Sequence, residues 1–466
     1  MGNGSMMRIL PVVVCASAVI FASAPLAAQD TSQTSSISQY RETAARIIAA
    51  ALSDSSAYTR LGTLVDTFGP RLSGSPALER AIDWVRSEMT RDGLDNPRTQ
   101  PIKVPHWVRG QESVELVSPR LAALPMLGLG GSIATPRGGI TAPVLVVSSF
   151  ADLAARATEA QGKIVLFDAP FTTYRETVVY RRDGAVAAAR AGAVAALIRS
   201  VAPFSIRSPH TGNMAYDSTV NRIPIAALSV EDAIMLHRMQ DRGEKIVVTL
   251  TMEAHQLPDA DSRNVMADLR GTEHPEEVVL IGGHLDSWDV GQGAMDDGGG
   301  VVAAWQAVTL LKRLGLRPRR TIRVIGWTNE ENGLRGGRGY RDALSAGELA
   351  HHVLAFESDN GTFRPLGIGF TGSDSARGVV RQIAALLAPI TADSVFPDGS
   401  EADIGPLMEK GVPGMDLVTV GDRYFWYHHS NGDTLDKLDP AELARCVAVM
   451  AVMAYIVADL PEPLPR

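Results

Sequence analysis

Apolar residues recur at steps of three and four from Tyr40 onward, and again at Leu78, Ala81, Ile82, Val85 and Met89, the spacing that lays one stripe along a helix. Between these two predicted helices, the Gly, Pro and Ser content of Phe68-Gly69-Pro70-Arg71-Leu72-Ser73-Gly74-Ser75 marks a loop. The texture changes at about Arg120. From there to His255, short β-branched runs (VLVVSS, KIVLFDA, IPIAALS and KIVVTLTM) alternate with Gly-, Pro- and Ala-rich pieces, and Asp183 to Ser200 reads as a helix between two of them. From Asn264 the order becomes strand, helix, strand: VVLIGG, then Val301 to Leu314, then TIRVIGW, then HHVLAFES. Val301, Trp305, Val308 and Leu311 form one helical stripe, which belongs to a core. Alternation of this kind predicts an α/β fold with a mostly parallel, doubly wound sheet and helices on both faces. Ligands of such sheets bind beyond the carboxyl ends of the strands.

At 466 residues the chain exceeds what one hydrophobic core organises, so two domains are expected, and a hydrophobic share of 45% supports folded ones. The balance of 44 Lys and Arg against 52 Asp and Glu leaves no electrostatic footprint for nucleic acid. Arg8, an uncharged run from Ile9 to Phe21 and small residues ending in Leu26-Ala27-Ala28 read as a signal peptide over 1–28. The expected location is therefore secreted or periplasmic, with no membrane span after cleavage. Cys15 would leave with that segment, so Cys446 would remain alone, unable to form an intramolecular disulfide. Cys446 lies in the apolar, helix-like stretch AELARCVAVMAVMAYIVADL, where a buried, inert thiol is expected.

Candidate chemistry collects where strands end. VVLIGG opens into the Gly-rich loop GGHLDSWDVGQGAMDDGGG, Gly282 to Gly300, which carries His284, Asp286, Asp296 and Asp297. TIRVIGWTN runs into Glu330-Glu331, and VLAFES into Asp359. A late cluster, Tyr427 to Thr434, adds His428 and His429. Imidazole suits zinc, and a carboxylate has two oxygens with which to bridge a pair of ions. Adjacent glutamates at a strand end cost free energy unless a cation or proton compensates them. These residues point to metal-assisted hydrolysis. His210, His237 and His255 are scattered, so 120–255 reads as an inserted, non-catalytic domain.

The motifs FGPRLSGS, GGHLDSWDVGQGAMDDGGG, TNEENGLRGG, FESDNG and HHSNGDT, in this order between Phe68 and Thr434, resemble the co-catalytic di-zinc aminopeptidase family, nearest its plasma glutamate carboxypeptidase (carboxypeptidase Q) branch. The resemblance implies a zinc-exopeptidase domain over 29–119 and 256–466, interrupted by a protease-associated domain at 120–255. It implies two zinc ions bridged by Asp296, one completed by His284 and Asp359, the other by Glu331 and His429. Glu330 would be the general base. Asp286 would accept the second N–H of His284, while Asp289, Asp297 and His428 are not assigned as ligands. A cis peptide between Asp296 and Asp297 and a homodimer are further implications. Two ions about 3.5 to 4 Å apart can bring the pKa of a bridging water toward about 7, supplying hydroxide at neutral pH.

The activity so implied is hydrolysis of dipeptides or short peptides with a free amino terminus. Two other readings stay open: a carboxypeptidase that binds the C-terminal carboxylate, with Arg335 and Arg423 as candidate cations, and a non-catalytic binding protein on the same fold. Ser400-Glu401-Ala402-Asp403 stands where many relatives have Ser-Asp-His followed two residues later by Phe, so the substrate-binding residues are not assigned.

Overall fold

Successive residues of Val278-Val279-Leu280-Ile281 serve two different cores, which is why the run is apolar throughout instead of alternating. In the computed structural model, which describes residues 1–2, 37–399 and 402–466, this run lies at the centre of an eight-stranded sheet. Its strands are β1 (Asp95–Val108), β2 (His255–Leu269), β3 (His274–His284), β4 (Arg320–Trp327), β5 (His352–Glu357), β6 (Pro365–Thr371), β7 (Ser394–Phe396) and β8 (Gly414–Thr419). Their spatial order is β1-β2-β4-β3-β5-β8-β6-β7. Pairing is parallel through β4-β3-β5-β8 and between β6 and β7, and antiparallel for β1-β2, β2-β4 and β8-β6. The predicted α/β class holds, with the parallel order confined mainly to the centre. The link from Leu269 to His274 is too short for a parallel crossover, so β2 runs antiparallel to β3 and hence to β4, which lies between them and is parallel to β3.

Helices cover both faces. Val279 and Ile281 pack with Val301, Trp305 and Val308 of the Gly299–Arg313 helix and with the Pro440–Asp459 helix. Val278 and Leu280 face Tyr340, Ile404 and Leu407 on the other side. Among the described residues, Pro440–Asp459 is the one helix long and apolar enough to cross a membrane, but 83% of its apolar window is buried, which makes it a core helix. Cys446 sits within it, fully buried, with Sγ 3.2 Å from Phe363 O, and burial pushes its thiol pKa far up.

A second eight-stranded sheet is built from residues 112–252, centred on four parallel strands, Ile140–Val147, Ile164–Phe167, Ala195–Arg199 and Ile225–Leu228. The chain enters this sheet between Val108 and Glu112 and leaves it between Met252 and His255, so the crossing precedes Arg120. The helix read at Asp183 to Ser200 needs correction. It occupies Tyr174–Arg190, and Ala195–Arg199 is a strand. Gly192, at φ +80°, turns the chain, and a strand buried between parallel neighbours has no polar alternation to distinguish it from a helix. The leader predicted over 1–28 lies, past Gly2, outside the described residues, as do Ser400 and Glu401.

One buried histidine makes the main sheet acid-sensitive. His352, at the start of β5, presents Nδ1 2.8 Å from Glu348 O and accepts from Tyr340 Oη at Nε2 (2.9 Å). Burial chiefly, reinforced by Arg323 and Arg466, pushes its pKa down to about 4 from 6.5. Its contribution is fully present above pH 6.5 and is lost as the pH falls toward 4, because the unfolded chain takes up the proton first. His352→Gln should therefore flatten the decline in urea midpoint across this window, a difference of about 2 kcal/mol at pH 5. An equal decline in both proteins would refute this.

Candidate metal centre

The register of the parallel strands pairs His284 with Trp327 and Gly282 with Glu357, so β3, β4 and β5 end at one edge. His284 closes β3 at that edge, the loops leaving it carry Glu330, Glu331 and Asp359, and the segment after Tyr424–Tyr427 returns His428 and His429 to the same place. His284 Nε2 lies 3.2 Å from Asp296 Oδ1 and 3.3 Å from Asp359 Oδ1. His429 Nε2 lies 3.3 Å from Asp296 Oδ2 and 3.0 Å from Glu331 Oε2. The two oxygens of Asp296 thus face two different imidazoles, each joined by a further carboxylate. All five residues named as ligands from the sequence meet here.

The donor set fits divalent cations. Asp296 Oδ2 is buried and makes no hydrogen bond, although His428 and His429 Nε2 both lie within 3.5 Å of it. An orphaned buried carboxylate oxygen among ring nitrogens is what a cation would satisfy. Burial would raise the Asp296 carboxyl, but the imidazoles of His284 and His429 outweigh it and hold it well below the usual range. Burial and the crowd of Asp359, Asp296 and Asp286 push Glu330 well up, and a similar crowd acts on Glu331. A pair of cations would relieve that repulsion.

The remaining acids are held by backbone amides. Asp297 lies near enough to join His284 and Asp359, but its Oδ2 accepts from His284 N (3.2 Å) and its Oδ1 from Gly300 N (3.1 Å). A Cβ at Gly300 would come within 2.1 Å of Ser358 O, so this approach requires glycine. The Asp296-Asp297 peptide is cis, as the resemblance implied. Asp433 accepts from the amides of Ala294, Met295 and Asp296, and so sets the loop that carries Asp296. The role read for Asp286 requires correction. His284 Nδ1 bonds the main-chain O of Asp286 at 2.9 Å, whereas the Asp286 carboxylate is 3.8 Å away and accepts from Glu330 N (3.1 Å) and Ser73 Oγ (3.2 Å). The carbonyl two residues on already meets the ring nitrogen, which leaves the side chain to fix the turn that presents Glu330. Either way Nε2 is the nitrogen left free.

His428 stacks on His429 with centroids 3.5 Å apart and packs against Tyr174, Tyr424 and Phe425. Burial, then the neighbouring His429, hold it neutral.

Sequence reasoning missed the residues that brace this edge. Arg71, fully buried, donates from Nε to Leu285 O, from Nη1 to Gly69 O and Gln292 O, and from Nη2 to Gly293 O. The motif FGPRLSGS contained it, but a lone arginine gives no sign of inward orientation. Arg71→Met should destabilise the fold by about 3 to 5 kcal/mol through the orphaned carbonyls, read from urea unfolding. An unchanged midpoint would refute the bracing role. The segment expected to stand apart from the chemistry also reaches the site. Thr211 N donates to His429 O (2.9 Å), His210 Nδ1 meets His428 O (2.6 Å), and Arg181 Nη1 lies 3.2 Å from His429 Nδ1. No spacing rule relates position 181 to 429; only the packing of the two sheets brings them together.

Known proteins resemble this chain in sequence and in fold. Residues 264–454 match the model of peptidase family M28. Carboxypeptidase Q of Mus musculus is 51% identical over 409 residues, 88% of this chain and 87% of its own length, and that of Homo sapiens is 50% identical over 409 residues. The crystal structure of an M28 peptidase precursor from Shewanella amazonensis superposes with a TM-score of 0.89 at 36% identity, covering 92% of this chain and 99% of that one. A zinc aminopeptidase from Bacillus subtilis shares the fold, with a TM-score of 0.66 at 21% identity over 88% of this chain and 98% of that one.

Proposed function

This chain belongs to peptidase family M28 and is a metallopeptidase, and from that premise we propose that it works with two zinc ions to remove the amino-terminal residue of dipeptides and short peptides. The observation that supports the pair is the placement of the Asp296 oxygens between His284 on one side and His429 on the other. His284, Asp359 and one oxygen of Asp296 would hold one ion; His429, Glu331 and the other oxygen would hold the second. Bound there, zinc supplies a Lewis acid that polarises the peptide carbonyl and acidifies water.

The protein's own groups account for the proton traffic and the positioning. Glu330 is presented at the sheet edge by the hydrogen bond from its amide to Asp286, and among the described residues the histidine–carboxylate pairs of the site involve Asp296, Asp359 and Glu331 but not Glu330. It takes the proton of the attacking water and returns it to the departing amine nitrogen, in the manner of general acid-base catalysis. Glu331 differs, because its Oε1 is tied to Trp288 N at 3.0 Å and only Oε2 faces His429. That anchor makes it a holder of the metal. A free amino terminus would offer such a centre a nitrogen lone pair, which an acylated one lacks.

Chelation followed by readdition of zinc tests the metal. Hydrolysis of Ala-Leu should vanish after chelation and return with zinc, with two ions per chain by elemental analysis; one ion per chain with full activity would overturn the two-metal reading. Blocking the amino group tests the end that is read. N-acetyl-Ala-Leu should be cleaved at least roughly 100-fold more slowly than Ala-Leu, and equal rates would refute an aminopeptidase. The apolar run from Ile9 to Phe21 supports export to a secreted or periplasmic location, checked by whether the mature protein begins near Gln29.

A further inference from the structure

Trp288 belongs to the loop that carries Asp296, yet its side chain is buried in the core of the second sheet. It is 2% exposed and joins, together with Val290, the cluster formed by Val114, Val146, Leu197 and Leu250 of that sheet. The ring lies against Gly130, where a Cβ would come within 2.1 Å of it. Gly130 is itself fixed, with its N–H on Gly212 O and its carbonyl accepting from Met214 N, both at 3.0 Å. Trp288 Nε1 has no hydrogen-bond partner, so packing, and not a polar contact, sets where the ring stands.

The same residue touches both side chains assigned to the second ion. Trp288 N donates to Glu331 Oε1 at 3.0 Å, and its ring meets that of His429 with centroids 5.6 Å apart and planes at 60°. The next residue, Asp289, is gripped by Arg109 through Nε at 2.8 Å and Nη2 at 2.6 Å, and Arg109 also bonds Glu112, Gly128 O and Thr211 Oγ1. Thr211 N closes the circuit on His429 O. The other half of the centre is held differently. His284 is set by Asp286 O and the Asp297 carboxylate, and Ser358 N bonds Gly282 O beside Asp359, so these ligands hang on the main sheet and its own loops.

We propose that Trp288 is a positioning residue through which the inserted segment assembles the His429–Glu331 half of the centre, so that displacing the second sheet weakens this half and not the His284–Asp359 half. The inference rests on the two-metal function proposed above and goes beyond it by making the two positions unequal. A close-packed wedge passes on a small shift because the interior around it has no space in which to absorb one. Groups that orient metal ligands matter nearly as much as the ligands, and loss of one typically lowers affinity by about 10- to 100-fold. An enzyme whose second sheet is out of place would keep one ion and lose hydrolysis.

The test is a titration of zinc-free protein with zinc against a competing chelator, which yields two stepwise dissociation constants. Gly130→Ala pushes a methyl into the ring without touching a ligand, and Trp288→Phe removes the part of the ring facing Gly130 while keeping the amide on Glu331. Each should weaken one constant by about 10- to 100-fold and leave the other within about threefold of wild type. Ser149→Ala, which removes the cap of the Phe150–Ala155 helix in the inserted segment, should leave both constants at their wild-type values. Gly130→Ala should weaken the single site left in Asp359→Ala and spare the one left in Glu331→Ala. Trp288→Phe carries the test should Gly130→Ala fail to fold. In a folded variant, two constants lowered together, both unchanged, or an effect confined to the Glu331→Ala background overturns the positioning role and leaves the two-metal function standing; so does an equal loss in Ser149→Ala. A wild type that binds a single zinc ion overturns the two-metal function itself, and this inference with it.

Discussion

Glu330→Gln should lower kcat by about 1,000-fold or more while both zinc ions remain bound. Glutamine preserves the size of the side chain and its amide contact with Asp286, since that hydrogen bond uses the backbone N–H of residue 330. What it removes is the ability to accept a proton. If Glu330 serves as the base, the loss appears in kcat and kcat/KM together, with little change in KM, because the interaction is made in the transition state. Zinc content and unfolding midpoint should match wild type. Two results would contradict the assignment: activity within tenfold of wild type, or a loss of zinc in step with the loss of activity, which would make Glu330 a ligand.

Asp296→Ala should be more damaging, because it removes the group shared by both halves of the centre. Asp296 Oδ1 faces His284 and Oδ2 faces His428 and His429, so one substitution takes a ligand from each position. Asp359→Ala, by contrast, leaves the His429 and Glu331 side intact. The expected pattern is zinc below one ion per chain and no detectable hydrolysis for Asp296→Ala, against near one retained ion for Asp359→Ala. Two retained ions in Asp296→Ala would show that the carboxylate does not bridge. Because Asp433 holds the backbone of Ala294, Met295 and Asp296, the loop should keep its course, and folding can be verified separately by circular dichroism.

The contrast between Asp286 and Asp433 shows where residue pattern stops informing. Both were visible as acids in Gly-rich or polar loops beside a histidine. Asp286 drew a hydrogen-bonding role toward His284 by its two-residue spacing, yet at that spacing the main-chain carbonyl reaches the ring nitrogen and the side chain turns to the amide of Glu330. Asp433 attracted no role of its own, although it grips three consecutive amides 137 to 139 positions away in the chain. Carboxylate contacts with backbone amides leave no mark in residue type, because any acid in a loop can make them.

The inserted segment gives the same lesson at the level of domains. Its strands were legible as β-branched runs, but Ala195–Arg199 was not, since alanine-rich strands buried on both faces carry neither periodicity. Its separation from the chemistry was inferred from the scatter of His210, His237 and His255 along the chain. Packing of the second sheet against the 424–434 segment instead places His210, Thr211 and Arg181 beside the candidate ligand His429 and its neighbour.

Residue order alone determined the α/β class and the edge at which the acids and histidines gather, because parallel strands expose their carboxyl ends together. The choice of His284, Asp296, Glu330, Glu331, Asp359 and His429 among them came from the resemblance of the five motifs to the di-zinc aminopeptidases, since residue type leaves Asp297 and His428 equally eligible. Tertiary structure decided which atoms face one another: that Asp296 divides its oxygens between two imidazoles, that Asp297 is consumed by amides, and that Trp288 leaves its own loop for the core of the second sheet. Those outcomes depend on distances of a few tenths of an ångström between segments far apart in the chain, set by the packing of two sheets, and no local pattern encodes them.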